Sequence, residues 1–219
     1  MNTLKTLVAR IALACAALSA AAAFSQDARA CGDVFIPEID HRIQGLANAE
    51  KALRDGKIVA SAQSIVRMFP EIRTINPGKD GMLGRAQRTL AIALVRMDGA
   101  IELDPTWRAK SPEQRAQNVA WAVSSLERLR TQRKNDPAVD TDLGEALAKV
   151  DGRQDEARSI LQSLSDRDLM ATPQGYAALG RLQNQAGNAA ARDAAIQRCN
   201  AMAKDAEICK VSATQGGQS

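Results

Sequence analysis

Apolar residues recur along this chain at the spacing of a helix face. Ile39, Ile43, Leu46 and Leu53 fall on one side of a segment that Gly56 ends. Ile58, Ala62, Ile65 and Phe69 form the next stripe, and Pro70 stops it. Residues 71–80 lack that period and read as a loop. Ala86, Leu90, Ala93, Leu94 and Met97 make a third stripe, halted by Gly99. Positions i, i+3, i+4 and i+7 gather on one side of a 3.6-residue helix, so each stripe predicts an amphipathic helix with one buried face.

The second half adds start signals to the periodicity. Ser111-Pro112-Glu113-Gln114 places a capping Ser before Pro at the first helical position, with Gln at the third, the pattern of a capping box. Val119, Val123 and Leu126 follow on one face, and the helix runs out in Arg128, Arg130, Arg133 and Lys134. Asp136-Pro137 opens a fifth helix with Leu143, Leu147 and Val150, closed by Gly152. Ala157, Ile160, Leu161 and Leu164 mark the sixth. Thr172-Pro173 starts the seventh, which carries Tyr176, Leu179 and Leu182 and is closed by Gly187; the eighth carries Ala195, Cys199 and Met202. No run combines β-branched residues with strict alternation, so strands have little support. The expected fold is all-α. About eight helices joined by short loops pair as four antiparallel hairpins over residues 39–206. A non-repetitive helical bundle is the other arrangement this pattern allows.

Two hairpins look alike. Leu143-Gly144 lies in one helix and Gly152-Arg153-Gln154-Asp155-Glu156-Ala157 opens its partner; Leu179-Gly180 and Gly187-Asn188 repeat the theme, with Gly152 and Gly187 35 residues apart. Tyr176 stands three residues before Leu179, and Ala100-Ile101-Glu102-Leu103-Asp104-Pro105 has the look of a repeat end. Over residues 137–205 the chain resembles a tetratricopeptide (TPR) repeat protein, whose period is roughly 34 residues. Leu143 to Ala157 is one residue longer than the family spacing, and Arg192 falls where a small residue is expected. The resemblance implies a right-handed solenoid whose concave face holds a peptide or a partner's helix.

The N-terminus has a different pattern. Lys5 and Arg10 precede an apolar run of about fourteen residues, 11–24, and Ala28-Arg29-Ala30 puts small residues just before Cys31. This order predicts a cleavable export signal over 1–30, cut between Ala30 and Cys31. A membrane anchor is the competing reading, but the run is shorter than the roughly 20 residues a bilayer requires. Residues 31–38 then form a short extension, and 207–219 a small polar tail, expected to be partly disordered. The chain is therefore expected outside the cytoplasm, in the periplasm or the extracellular space. Cys31 is expected to be free, paired between chains or, with a poor match at Ala28 and Arg29, lipidated.

Charge and composition narrow the function classes. Residues 1–30 hold three of the 29 basic and one of the 25 acidic residues, which leaves the remainder at +2. So balanced a chain gives no electrostatic case for nucleic acid. Aromatics make up 3% of the residues, which leaves few platforms for stacking sugars or bases. Trp107, Trp121, Arg128 and Arg130 are the candidates for a protein interface, because large aromatics and arginines carry much binding energy. Each has a bland alternative: the tryptophans as core, the arginines as cations favouring a helix C-terminus.

In an oxidising compartment Cys199 and Cys209 are a plausible disulfide. One straight helix would hold them about 15 Å apart, and a disulfide requires Cα atoms within about 7 Å. The last helix must therefore end near 204–206 and the chain turn back. A redox pair is the alternative, although Cys-x-x-Cys is absent. His41, the one histidine, lies beside Asp40 and Glu38, but no second histidine exists to complete a zinc site, and no nucleophile, Walker or His-Glu-x-x-His motif appears. The sequence thus predicts an exported, non-catalytic adaptor without cofactors that binds a protein or peptide. The alternative is a structural envelope protein or lipoprotein attached through Cys31.

Overall fold

The computed structural model describes residues 41–76, 81–103 and 107–210. The expected export signal, its cleavage point at Ala30 and Cys31, the 31–38 extension and the tail from 211 lie outside the described residues. Within the described residues the chain is all-helical: α1 (His41–Arg54), α2 (Ile58–Met68), α3 (Gly81–Arg96), α4 (Pro112–Gln132), α5 (Pro137–Leu147), α6 (Gln154–Asp166), α7 (Pro173–Gln185), α8 (Ala189–Met202) and a 3-10 turn, Ala206–Cys209. All belong to one compact unit, Ile39–Ser219.

Helix starts in the second half follow the capping residues. The Ser111 hydroxyl accepts from the Gln114 backbone N–H, and the Gln114 side chain accepts in return from the Ser111 N–H. Asp136 accepts from the Ala138 and Val139 N–H groups, and Thr172 from Gly175. Pro112, Pro137 and Pro173 each stand in the first turn, where the missing N–H costs nothing. The α5–α6 and α7–α8 turns close through Gly152 and Gly187, with φ of 78° and 76°, a conformation that strains any residue with a Cβ.

The helices pair as α1/α2, α3/α4, α5/α6 and α7/α8, and each hairpin packs on the next. The odd-numbered helices also touch in succession, α1 on α3, α3 on α5 and α5 on α7, whereas the even-numbered helices do not pack substantially on one another. The result is two layers, an inner one of odd helices and an outer one of even helices. Close approach depends on small residues: a Cβ on Gly144 would lie 2.6 Å from Leu161, and one on Gly175 2.6 Å from Thr141.

Several boundaries differ from those the pattern predicts. Ile43 is 55% exposed, on a helix that packs, among the described elements, against α2 and α3. Val150 lies in the turn after α5, not in the helix. The expected 71–80 loop packs inward where it is described: Ile72 is buried, and the Gln87 side chain donates to the Ile72 and Ile75 carbonyls. The last helix ends at Met202, earlier than the disulfide argument placed it.

Candidate functional site

The inner layer was the expected binding face, and in its middle it is filled by its own charges. Arg85 of α3 grips Glu50 of α1 through two hydrogen bonds, 2.9 and 2.7 Å. Arg88, one turn on, donates to Asp142 of α5 at 2.5 Å. Arg96 forks onto Glu145 at 3.0 and 3.3 Å, and Lys149 reaches Asp98 at 2.6 Å. These pairs link successive inner helices. The Asp142 and Glu145 side chains are only 4% and 5% exposed. Burial pushes the Asp142 carboxyl up to about 6, despite Arg88 and Arg96, which favour its charged form; Glu145 beside it adds to the rise. Burial disfavours the Arg96 charge, but Glu145 outweighs it and raises that guanidinium overall. Thr89–Val95 of α3 and Thr141–Leu147 of α5 are buried throughout, so no open groove runs along these two helices.

The expected interface residues fall in two places, neither of them a free anchor. Trp107 is 0% exposed, the core placement that the sequence left open beside an interface role. It lies in the long α3–α4 connection, meets Trp121 edge to face at 4.9 Å, and carries the Arg73 guanidinium 4.4 Å from its ring centre. Trp121, half-buried on α4, donates its indole N–H to the Arg73 carbonyl at 2.9 Å. Asn118 completes the cluster, donating to the Gly99 and Arg108 carbonyls, both at 3.0 Å. Two tryptophans and an amide thus tie both long loops to α4. Arg128 donates to Ser125, and Arg130 pairs with Asp140 of α5 at 2.9 Å, so this basic run joins α4 to its neighbour.

Cys199 and Cys209 form the expected disulfide, with Cα atoms 5.7 Å apart. It fastens the 3-10 turn against α7 and α8. His41 stands exposed at the start of α1, and among the described residues no three His, Cys, Asp or Glu side chains gather as a metal site.

An open groove of about 480 Å³ lies between α6 and the α7–α8 turn, lined by Asp155, Arg158, Ser159, Gln162, Gln183, Ala186 and Asn188. Its floor is a relay of amides. Asn188 donates to Gln183 at 2.9 Å, Gln183 to Gln162 at 2.8 Å, and Gln162 to Asp166 at 2.7 Å. A primary amide has two donors and two acceptor lone pairs, so Gln162 and Asn188 keep unused donor and acceptor capacity toward the groove. Arg158, paired with Asp155 at 2.6 Å, stands on the rim. The sequence reading passed over these residues, because amides scattered across two helices and a turn carry no spacing that marks them.

No protein-family model matches the chain, and no curated protein or solved structure matches it.

Proposed function

We propose that this chain is an exported, non-catalytic helical-hairpin protein that holds a protein or peptide partner in the groove between α6 and the α7–α8 turn. The observation that carries this reading is the amide relay. Gln162 and Asn188, each hydrogen-bonded to Gln183 and both lining the groove, carry amide N–H and C=O groups, the complement of an extended peptide backbone. The TPR-like reading is supported by the left-handed glycines at equivalent turns and by the close seat of Gly144 on Leu161. It is displaced in one respect: the partner engages the junction of the last two hairpins, because buried ion pairs occupy the middle of the inner layer. Export rests on the pattern of residues 1–30.

The test is in-cell photocrosslinking from position 162 or 188, followed by purification of the tagged chain. One partner should be recovered in stoichiometric amount. Gln162→Ala with Asn188→Ala should weaken its binding about thirtyfold, since each lost hydrogen bond contributes on the order of 1 kcal/mol. Recovery of self-crosslinked chain alone would sink the adaptor reading and favour a structural role.

A further inference from the structure

Aspartate precedes glycine four times in this chain. Asp55–Gly56, Asp98–Gly99 and Asp151–Gly152 lie among the described residues, each in the turn that follows an odd-numbered helix. The pair has a chemistry of its own. Glycine has no Cβ to shield its backbone nitrogen, so that nitrogen can approach the carboxyl of the aspartate before it. A fold prevents the approach by holding the carboxyl with another group and the glycine N–H with a carbonyl. At Asp98 both restraints operate. Lys149 grips the carboxylate at 2.6 Å, and the Gly99 N–H donates to the Leu94 carbonyl at 2.8 Å. A Cβ on Gly99 would lie 2.2 Å from the Arg115 carbonyl oxygen, so this backbone has no room to turn. At Asp55 both operate as well: Lys51 grips the carboxylate at 2.5 Å, and the Gly56 N–H donates to the Leu53 carbonyl at 3.3 Å. Asp151 differs. Among the described residues its carboxylate has no ion pair or hydrogen bond, and the Gly152 N–H donates to no carbonyl. Both residues are exposed, and nothing stands within 4 Å of a Cβ built on Gly152. The bond from the Arg153 N–H to the Val150 carbonyl, 3.1 Å, spans the pair without engaging either reacting group.

We infer that Asp151–Gly152 is a site of spontaneous backbone modification, at which the folded protein converts aspartate to isoaspartate. The Gly152 nitrogen adds to the Asp151 Cγ carbon and gives up its proton. The carboxyl hydroxyl leaves with that proton as water, and a cyclic imide closes. Water then breaks the bond between that nitrogen and the Asp151 backbone carbonyl, so the chain runs on through Cγ. One water leaves and one returns, and nothing is oxidised or reduced. The product carries an extra atom in its main chain between residues 151 and 152, directly before Arg153. That guanidinium ties the start of α6 to Glu127 of α4 at 3.0 Å and to Glu156 at 2.6 Å. The modification therefore acts on the tie between α4 and α6 and on the helix that carries Asp155 and Arg158. The site stands whether or not the groove beside α6 holds a peptide.

The experiment is prolonged warm incubation of the intact folded chain, with a parallel sample in concentrated urea. Isoaspartate is then located by peptide mapping, with an isoaspartyl methyltransferase label and electron-transfer fragmentation to place it. Each restraining hydrogen bond contributes on the order of 1 kcal/mol, about fivefold in rate, so two such bonds slow ring closure about thirtyfold. In the folded chain, isoaspartate should therefore build up at position 151 about thirtyfold faster than at 55 or 98. In urea the three sites should react at similar rates, because the restraints are gone and the dipeptide is the same. Asp151→Glu keeps the charge but lengthens the side chain past the favoured ring, and it should abolish the signal at 151 with unchanged helical circular dichroism. Equal rates at the three sites of the folded chain, or a lead at 55 or 98, would overturn the inference. So would a folded chain that stays unmodified at 151 while the urea sample reacts. A lead at 151 that urea leaves intact would assign the preference to neighbouring sequence, and the structural account would fall.

Discussion

Asp142 sits where Arg88 attracts its charge and the surrounding core repels it, and the core prevails. Its carboxyl titrates near 6 in the fold and near the ordinary value of 3.8 when the chain is unfolded. Between those pH values the folded state holds a proton that the unfolded state has released, so stability falls as pH rises through the window and levels off above it. The amplitude is about 3 kcal/mol, from roughly two pKa units. Urea unfolding across that range should show the decline, and Asp142→Asn should flatten it. A wild-type profile that rises with pH would refute the assignment. The exposed carboxylates of Asp55, Glu113, Glu156 and Asp193 are held low by hydrogen bonds and act in the opposite sense; their contribution is lost only below the ordinary carboxylate range. Nothing in the local sequence distinguishes Asp142 from Asp140, two residues away. The difference is whether the turn of α5 points the side chain at α3 or toward Arg130.

At the scale of elements, sequence and structure agree best where a side chain closes on its own backbone. Ser111, Asp136 and Thr172 cap the helices they precede, since a cap requires only a few consecutive residues. Cys199 and Cys209 agree for a similar reason: ten residues of separation admit a bridge once the helix stops. That bridge holds the 206–209 turn on the last hairpin. Replacing both cysteines with Ser should cost about 2–3 kcal/mol, the loop-closure value for so short a ring. Hydrogen exchange should then rise in α8 and the 3-10 turn while α3 and α5 stay protected. Uniform loss of protection would show that the bridge supports the whole stack instead. The tryptophans were less legible. Exposed anchor and buried core share one residue type, and only the path of the α3–α4 connection puts Trp107 beneath Arg73 and beside Trp121.

Across the whole molecule, hairpins contact their neighbours in turn, and stability in such stacks is a sum of local units and joints. The joint between the second and third hairpins differs in kind from the others, because the buried Arg96–Glu145 and Arg88–Asp142 pairs bridge it. Arg96→Met should leave Glu145 buried without its partner and cost about 3–5 kcal/mol. The unfolding transition should broaden as the two halves uncouple. Adding Glu145→Met should recover much of the loss, because a well-packed apolar pair replaces a desolvated ionic one. A double variant as unstable as the single one would argue against the joint. The sequence by itself determined the all-helical class, the hairpin order, the capped starts and the terminal disulfide. Each of these rests on interactions within a helix turn or a short loop, where spacing along the chain is spacing in space. Tertiary structure alone decided which faces remain open. It closed the inner layer with ion pairs between residues some fifty positions apart and left an amide-lined groove at the last junction. Those outcomes depend on how helices stack, and the side chains that meet across a stack are not neighbours in the chain.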